Sequence, residues 1–331
     1  MIYVTIREQA RPANRRLGFY LAMEEYIARH REEDGLFFMW QVDPTVICGR
    51  NQEVELETDL DYCKSENIDV IRRKSGGGCV FADRSNVMFS YISHSTDVET
   101  TFSGYTSMVA AMLRELGLDA SDNSRNDILI GDRKVSGCAF YHLPGRSIVH
   151  GTMLYDTDGK HISKALTPSR AKLTSKGVKS VKSRITTIKE HVPNLTLDEF
   201  KRHARESLCG AQEIILEDGD IKIIEEIEKS YYEPEWTFRT MGRHGESRQE
   251  RIDGVGEMKI IYSVDGTGKI SELRLTGDYF GLGENDDKLL QLLKGTAPTE
   301  AAVRERLSET DVSQLIAGLD NDRLAKMFGD K

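Results

Sequence analysis

Apolar residues in the first part of the chain follow two kinds of spacing, one typical of strands and one typical of helices. Short apolar runs typical of strands occupy Ile2 to Ile6, Leu36 to Val42, Thr45 to Cys48, Ile68 to Arg72 and Asn86 to Ser93. Helical spacing runs from Leu17 to Ala28 and from Thr100 to Leu116. Glu24 and Glu25 interrupt the first of these helical patterns. The pattern predicts strands and helices that follow one another along the chain.

A hairpin is predicted near the middle of the chain. Ile128 to Ile130 and Lys134 to Ser136 have the pattern of two strands around Gly131-Asp132-Arg133. Because Gly-Asp is typical of hairpin turns, we expect Lys134 to begin the returning strand. Ser147 to Tyr155 is predicted to be a further strand, and it carries His150.

The last third of the chain has the pattern of a small second domain. Thr196 and Glu199 form a capping-box signature for a helix that ends near Gly210. A polar, glycine-containing linker is predicted from Met241 to Glu250. Beyond it we expect a hairpin formed by Lys259 to Val264 and Ile270 to Leu275. Three helices are predicted after the hairpin, at Leu289 to Leu293, Ala301 to Leu307 and Leu315 onward. The predicted domains are therefore residues 1–243 and 251–331.

Composition excludes several classes of protein. The 331 residues are 39% hydrophobic and 30% charged, with a net charge of −9, which argues against a general nucleic-acid or membrane-surface binder. The chain shows no apolar run near the ~20 residues of a membrane span and no signal-peptide pattern, so we expect a cytoplasmic protein. Its five cysteines are scattered without C-x-x-C spacing, which favours free thiols in a reducing compartment.

A glycine-rich segment follows a basic pair at the end of a predicted strand. Arg72-Arg73 leads into Ser75-Gly76-Gly77-Gly78, where the absence of side chains allows a close approach of backbone N–H groups to an anion. The spacing fits neither the phosphate loop that ends in Lys-Ser/Thr nor the dinucleotide G-x-G-x-x-G pattern. Three glycines also occur in simple loose turns. The preceding arginines make a site for a phosphate-bearing ligand the more specific interpretation.

Other candidate residues have both a structural and a chemical interpretation. Lys134 has small neighbours and is suited to stabilise charge on a phosphate and a carboxylate, although most lysines are simply solvated. Asp127 either caps a turn or helps to hold Mg²⁺. His150 fits a structural role better than that of a base. Cys79 and Cys138 are better explained as small packing residues than as nucleophiles, because neither has a convincing histidine partner.

The segment between Asp158 and Glu190 contains no acidic residue and many basic ones. Its basic residues include Lys172, Lys176, Lys179 and Arg184. In an acidic chain this is a local anion-attracting segment, and its serine, threonine and glycine content predicts a mobile loop.

The chain resembles the lipoate–protein ligase family over essentially its whole length. The motifs that carry the resemblance are, in order, Leu21-Ala22-x-Glu24-Glu25, Gly49-Arg50-Asn51-Gln52, Arg72-Arg73-x-Ser75-Gly76-Gly77-Gly78-x-Val80-Phe81-x-Asp83, Asn126-Asp127, Gly131-Asp132-Arg133-Lys134-Val135-Ser136-Gly137, His150-Gly151-Thr152-x-Leu154, Lys182-Ser183-Arg184-Ile185-Thr186 and Glu235-Trp236-Thr237-Phe238. Several independent motifs in the same order make the resemblance specific.

The resemblance implies a fold and a reaction. The fold would be α+β, with a large mixed-sheet domain related to that of biotin ligases and a small α/β accessory domain. The reaction would use ATP and Mg²⁺ to convert lipoate to lipoyl-AMP and would then transfer the lipoyl group to a lysine of a carrier protein. That carrier would be the E2 lipoyl domain of a 2-oxoacid dehydrogenase or the glycine-cleavage H protein.

The resemblance also implies roles for individual residues, with Lys134 as the catalytic residue that contacts both nucleotide and lipoate. The remaining nucleotide site would comprise Arg73 and the backbone of Gly78, Cys79, Val80 and Phe81, and the remaining lipoate site Arg72, Gly76, Gly77 and His150. The basic segment with Lys172, Lys176, Lys179 and Arg184 resembles the loop that closes over the adenylate.

The chain departs from the family's usual pattern at a few positions. Ala82 stands where histidine usually precedes Asp83, and Tyr20 stands where asparagine is common. Cys79 and Cys138 replace residues that are usually small. None of these changes removes a group assigned to chemistry, but Ala82 bears on the geometry of the nucleotide pocket.

Two other functions fit parts of the sequence. A lipoyl or octanoyl transferase of the same fold would use no ATP and would need a cysteine nucleophile; the C-terminal domain and the lack of an evident Cys-His arrangement favour the ligase. A non-catalytic lipoyl-binding module would bind without turnover, and the presence of Lys134 argues against it. Biotin as the acyl substrate is compatible with the fold alone. The Arg-Arg-x-Ser-Gly-Gly-Gly pattern, however, resembles the lipoate branch of the family.

Overall fold

A computed structural model describes residues 1–7, 15–95, 97–122, 126–157, 160–167, 185–238, 245–282 and 286–329. The chain divides into two units, of which the first comprises 1–48, 55–73 and 79–237 and the second 49–54, 74–78 and 238–331. The second unit therefore includes two short segments that precede the predicted small domain in sequence. The predicted boundary at residue 243 lies outside the described residues.

The described strands of the first unit are β1 (Ile2–Ile6), β2 (Leu36–Trp40), β3 (Thr45–Cys48), β4 (Asp69–Arg72), β5 (Val80–Ala82), β6 (Asn86–Ser93), β7 (Ala120–Asp122), β8 (Asp127–Ile130), β9 (Arg133–Leu143), β10 (Arg146–Leu154) and β11 (Glu213–Leu216). Helices along the same part of the chain are α1 (Leu17–His30), α2 (Val54–Glu57), α3 (Leu60–Ser65), α4 (Val98–Glu115), α5 (Lys160–Ala165), α6 (Ile188–His191), α7 (Leu197–Leu208), α8 (Asp218–Lys229) and α9 (Pro234–Thr237). A short 3₁₀ helix covers Ser230–Tyr232.

The strands of the first unit form a large sheet and a small one. The large sheet has eight strands in the order β11-β1-β2-β6-β10-β9-β8-β7. Strand β1 is parallel to both of its neighbours. In the rest of this sheet, each neighbouring pair in the order β2-β6-β10-β9-β8-β7 is antiparallel. The small sheet has the order β4-β3-β5. Together with the helices, these mixed sheets confirm the expected α+β fold.

One face of the large sheet carries the residues of interest. The register of β2, β6, β10 and β9 aligns Phe38, Ser90, His150 and Ala139 in one row, and Trp40, Met88, Thr152 and Gly137 in a second row two residues further on. Side chains two residues apart on a strand share a face, so both rows lie on the same side of the sheet. We call this side the α1 face.

Helix α1 and the small sheet cover the α1 face of the large sheet. Apolar residues of α1 pack there against residues of β2, β6 and β10. Ile47, Ile71 and Ala82 of the small sheet belong to the same core. Strand β5 therefore lies on the same side of the large sheet as His150. Helices α4 and α7 cover the opposite face, where Phe200 stacks on Phe89 with ring centroids 6.4 Å apart.

Helix ends in the first unit follow local sequence signals. Helix α7 has the predicted capping box, in which Thr196 accepts from the Glu199 N–H and the Glu199 side chain accepts from the Thr196 N–H. Asp97 caps α4 by accepting from the Thr100 N–H. The predicted helix over Thr100 to Leu116 is therefore confirmed, and it begins two residues earlier.

The second unit consists of a three-stranded sheet and three described helices. Its elements are β12 (Glu246–Ile252), β13 (Gly256–Val264), β14 (Ile270–Gly277), α10 (Asp286–Leu293), the 3₁₀ helix Val312–Gln314, α11 (Glu300–Arg306) and α12 (Asn321–Lys326). The predicted hairpin is confirmed as β13 and β14. The prediction of a linker up to Glu250 was wrong for its last part, where β12 pairs with β13. Strand β12 is a largely exposed edge strand, so it lacks the apolar alternation by which strands are recognised.

The basic segment is only partly described. Lys160–Ala165 forms α5, so this part of the predicted mobile loop is helical. Lys172, Lys176, Lys179 and Arg184 lie outside the described residues. In the part of the chain that the structure describes, no helix combines the length and apolar character needed to cross a membrane.

Candidate active site

Lys134 owes its orientation to a bulge at the start of β9. Asp127 pairs with Gly137 and Ile128 with Ser136, but Leu129 pairs with Lys134, so Val135 is an extra residue in β9. Lys134 and Gly137 are three positions apart and would point to opposite faces in a regular strand. The bulge reverses that alternation and turns Lys134 to the α1 face, on which Asp127 and Gly137 lie.

Lys134 forms an ion pair with Asp127 beside Gly137. The Lys134 Nζ lies 2.6 Å from Asp127 Oδ1, and the two side chains are 19% and 5% exposed. A Cβ at Gly137 would lie 2.6 Å from the Lys134 Cε and closer still to Nζ. The lysine therefore crosses the space that the missing side chain of Gly137 leaves open. Asp127 fixes the position of the ammonium group.

The chain that follows the basic segment returns to Lys134. Ile185 forms a parallel bridge with Lys134, and the Thr186 N–H donates to the Lys134 carbonyl at 2.9 Å. The described chain resumes at residue 185 after the gap from 168 to 184. The predicted closing segment is thus attached at its C-terminal end to the backbone of the candidate catalytic lysine.

His150 belongs to a buried polar network with α1. Its Nδ1 lies 2.9 Å from Glu24 Oε2, and Ser90 Oγ donates to Glu24 Oε1 at 2.5 Å. Trp40 Nε1 in turn donates to Ser90 Oγ at 2.9 Å. The Glu24 side chain is fully buried, so these bonds compensate for the loss of water around its carboxylate. The contact with Glu24 orients the His150 ring by its Nδ1 edge.

Replacement of Glu24 by alanine is expected to lower the free energy of unfolding by about 2–4 kcal/mol. The reason is that buried donors of Ser90 and His150 lose their acceptor and a cavity forms. Urea denaturation of Glu24→Ala and Glu24→Gln measures the effect. Glu24→Gln keeps the volume and one acceptor, so it should lose less than half as much; equal stability of all three proteins would contradict the role of the network.

The two arginines before the glycines are buried in different surroundings. Arg73 donates from Nη1 to the Ile47 carbonyl at 3.0 Å, and burial lowers the pKa of its guanidinium to about 10, against the raising effects of the Cys79 and Cys48 side chains. Arg72 donates from Nε and Nη2 to the Thr237 carbonyl at 3.2 and 3.0 Å. These bonds hold Arg72 against the end of α9, and its contact with lipoate stays a prediction.

The thiols of Cys79 and Cys138 are poorly suited to attack a substrate. Burial raises the pKa of Cys79 well above its ordinary value, and it raises the pKa of Cys138 to about 12. A thiol with a raised pKa is rarely present as the nucleophilic thiolate. The interpretation of both cysteines as packing residues is therefore favoured, and a cysteine-dependent acyl transfer at either residue is disfavoured.

Val80 and Phe81 form the strand that follows the glycines. In β5 they pair with Ile47 and Val46 of β3. The Phe81 ring is buried and lies nearly parallel to the His161 ring, with centroids 5.9 Å apart. The Phe81 side chain is thus used for packing, which leaves its backbone as the part that fits the predicted nucleotide role.

Gly76 and Gly77 each occupy a position in the second unit that favours glycine for structural reasons. A Cβ at Gly76 would lie 3.0 Å from the Phe280 Cα and closer still to the Tyr279 carbonyl oxygen. Gly77 has φ +85°, and its N–H donates to the same Tyr279 oxygen at 3.3 Å. This hydrogen bond occupies the Gly77 N–H. The roles of Gly76, Gly77 and Gly78 in ligand binding stay predictions.

Replacement of Gly76 by alanine is expected to lower the free energy of unfolding of the second unit by about 1–3 kcal/mol. The added methyl group meets backbone atoms, which cannot rotate away as a side chain can, so the segment must shift. Thermal unfolding of Gly76→Ala measures the loss. The matched control is Gly266→Ala, because a Cβ at Gly266 meets nothing within 4 Å; equal losses in the two variants would contradict the explanation.

The described residues contain no group of three or more His, Cys, Asp or Glu side chains placed to hold a metal ion. Asp127 is the candidate ligand from sequence, and it lies beside the Lys134 ammonium. Mg²⁺ commonly needs only one or two carboxylates when phosphate oxygens and water supply the rest. A Mg²⁺ site at Asp127 stays a prediction.

The first unit thus brings Lys134, Asp127 and His150 together on the α1 face, with β5 on the same side. Sequence reasoning missed Ser90, and it noted Gly137 as one of the small neighbours that leave room beside Lys134. It noted Glu24 as an interruption of an apolar helix and as part of a family motif, without a partner for its carboxylate. An acidic residue among apolar positions of a buried helix is a signal for a buried polar network, because a lone buried carboxylate is too costly.

Comparisons with known proteins show the family of this chain. Residues 17–209 match the model of the lipoyl protein ligase A/B catalytic domain, and residues 244–328 match that of the bacterial lipoate protein ligase C-terminus. A relative from Staphylococcus aureus (strain Mu50), named lipoate–protein ligase 1, is 32% identical over 93% of this chain and 95% of its own.

Two solved structures are similar to this chain as well. A bipartite lipoate protein ligase from Thermoplasma acidophilum, described with its E2 lipoyl domain, has a TM-score of 0.63 at 27% identity and covers 73% of this chain and 98% of its own. A lipoate-protein ligase A bound with ATP has a TM-score of 0.60 at 27% identity, over 72% of this chain and 98% of its own. With both parts of the chain matched and the site lysine in place, this protein belongs to the lipoate–protein ligase family.

Proposed function

We propose that this protein is an ATP-dependent lipoate–protein ligase, which forms lipoyl-AMP and transfers the lipoyl group to a lysine of a carrier protein. The main support is its similarity to named lipoate–protein ligases over 93% of the chain. The Lys134–Asp127 pair on the α1 face supplies a fixed ammonium group for the chemistry. The match to the bacterial ligase C-terminus favours a ligase over a transferase of the same catalytic domain.

In the first half-reaction, a carboxylate oxygen of lipoate attacks the α-phosphorus of ATP, and pyrophosphate leaves. Negative charge gathers on the phosphoryl oxygens in the transition state. The Lys134 ammonium and the N–H groups of Cys79 and Val80 are the groups that we assign to this charge. Because the ion pair with Asp127 already holds Lys134 in place, little reorganisation is needed when the charge develops.

In the second half-reaction, the amine of the acceptor lysine attacks the acyl carbon of lipoyl-AMP, and AMP leaves with the bonding electron pair. Acyl-adenylates hydrolyse readily, so the site must exclude water between the two steps. We assign this task to the basic segment with Lys172, Lys176, Lys179 and Arg184, whose C-terminal end is joined to Lys134 through Ile185 and Thr186. Closure and opening of such a segment often limit the turnover rate.

His150 is proposed to position lipoate rather than to transfer a proton. Its Nδ1 edge is held by Glu24, which fixes the orientation of the ring on the α1 face. Mg²⁺, with Asp127 as its one protein ligand, would neutralise charge on the phosphates. The acceptors we propose are E2 lipoyl domains and H protein, in the cytoplasm.

The test is a reconstituted reaction with purified protein, ATP, Mg²⁺, lipoate and either an E2 lipoyl domain or H protein. We expect AMP to form only when lipoate is present, and the acceptor mass to rise by one lipoyl group. Omission of ATP is the deciding control. Acceptor modification from a lipoylated carrier without ATP would identify a transferase, and binding of lipoate without turnover would identify a non-catalytic module.

A further inference from the structure

Two cysteines face each other next to the glycine-rich segment. In the antiparallel pairing of β3 and β5, Val46 lies opposite Phe81 and Ile47 opposite Val80. Cys48, which ends β3, and Cys79, which directly precedes β5, lie one position beyond the last pair, and the same register extended by one position sets them opposite each other. Facing residues of antiparallel strands have Cα atoms about 4.5–5.5 Å apart. That range lies within the roughly 4.4–6.8 Å that a disulfide bridge spans.

The two thiols already interact in the reduced protein. The Cys79 side chain hydrogen-bonds to Cys48, whose Sγ also lies 3.6 Å from Thr58 Oγ1. The hydrogen bond from Cys79 lowers the pKa of Cys48, against the opposing effect of burial, and the charges of Arg72 and Arg73 lower it further. Cys79 is partly exposed, whereas Cys48 is buried. The pair is thus open to solvent on the Cys79 side, and Cys48 is the better nucleophile of the two.

We propose that Cys48 and Cys79 form an oxidation site, in which hydrogen peroxide converts the facing thiols into a disulfide that slows the adenylation of lipoate. The Cys48 sulfur first attacks one peroxide oxygen, which gives a sulfenic acid and one water. The Cys79 sulfur then attacks the Cys48 sulfur, and the sulfenic oxygen leaves as a second water with the remaining thiol proton. Overall, two thiols and one peroxide give one disulfide and two waters.

The disulfide alters the geometry of the segment that we assign to the nucleotide. A hydrogen bond between sulfurs spans well over 3 Å, whereas an S–S bond is about 2.05 Å. Closure therefore draws the two side chains together and restrains the backbone at Cys79 against β3. A positioning group held about 1 Å from its working place can lower a rate by about a hundredfold. This effect on adenylation rests on the proposed function, but formation of the cross-link does not.

The experiment treats the reduced full-length protein with hydrogen peroxide and measures free thiols after denaturation, the linked peptides by mass spectrometry, and lipoate-dependent exchange of pyrophosphate into ATP. We expect the free thiols to fall from five to three, because one disulfide consumes two of the five cysteines. The linked peptides should contain Cys48 and Cys79. Exchange should fall by roughly tenfold or more and should recover with dithiothreitol.

Two variants separate this pair from general oxidation. Cys48→Ser should keep its basal exchange rate and lose the reversible part of the inhibition. Cys209→Ser is the matched control, since Cys209 is partly exposed like Cys79, and it should respond as the unaltered protein does. Five remaining thiols, a different linked pair, or undiminished inhibition of Cys48→Ser would each overturn the proposal. A reduced protein without exchange activity would instead overturn the proposed function, while the thiol count would still decide the oxidation site.

Discussion

Replacement of Lys134 by alanine is expected to lower lipoate-dependent pyrophosphate exchange by about a hundredfold or more, and to lower lipoyl transfer as well. The ammonium group is one of the few fixed positive charges assigned to the phosphoryl oxygens, and loss of one such group costs about 3 kcal/mol in the transition state. The measurements are steady-state exchange, and transfer from preformed lipoyl-AMP to an acceptor domain. Normal exchange by a folded Lys134→Ala protein would remove this lysine from the mechanism.

Because Lys134 forms an ion pair with Asp127, Lys134→Ala is expected to lower stability as well as activity. Lys134→Ala removes the ammonium group that pairs with the buried Asp127 carboxylate. Loss of one member of a fully buried pair costs roughly 3–5 kcal/mol, and we expect about 2 kcal/mol here because the partly exposed lysine end admits water. The double variant Lys134→Ala with Asp127→Asn should recover most of this stability but none of the activity. That combination separates a catalytic loss from a folding defect.

Replacement of Gly137 by alanine is expected to lower the exchange rate by about ten- to a hundredfold, although no charged group is removed. The new methyl group would occupy the path of the Lys134 side chain, with Cε only 2.6 Å away. A lysine end is flexible, so it should move aside at a cost of about 1 kcal/mol or less in the free energy of unfolding. The ammonium group would then lie about 1 Å or more from its working position, which explains the loss in rate.

The matched control for Gly137→Ala is Gly104→Ala in α4. A Cβ at Gly104 meets nothing within 4 Å, and the residue is exposed in the helix, so the exchange rate should not change. Stability should rise by about 0.5–1 kcal/mol, because alanine favours a helix more than glycine does. An unchanged exchange rate for Gly137→Ala would show that the position of the Lys134 ammonium group is not critical.

The sequence predicted most elements whose side chains alternate or repeat. Strands β1 and β3 have the predicted bounds, and the Thr196 capping box is present as expected. Strand β12 was missed because it lies at the edge of its sheet and is mainly polar. Its pairing with β13 is a long-range interaction, and no local pattern records it.

The candidate site was predicted in part. The prediction of Lys134 at the start of the returning strand of a hairpin followed from the Gly131-Asp132-Arg133 turn, and β9 begins one residue earlier, at Arg133. The direction of the Lys134 side chain could not be predicted, because it depends on the bulge at Val135. Arg72 likewise depends on long-range contacts, since it donates to carbonyls more than 160 residues away, and its contact with lipoate stays a prediction.

The sequence by itself determined the family, the identity of the chemical groups and the local elements that carry them, because motifs and hydrophobic periods are local properties of a chain. Only the tertiary structure decided which groups meet. The pairing of Asp127 with Lys134 depends on the register of β8 and β9, and the position of Cys48 opposite Cys79 depends on the register of β3 and β5. Glu24 meets His150, 126 positions away, through the packing of α1 on the large sheet. Register is set by the joint packing of many side chains in the core, so no single segment of sequence contains it.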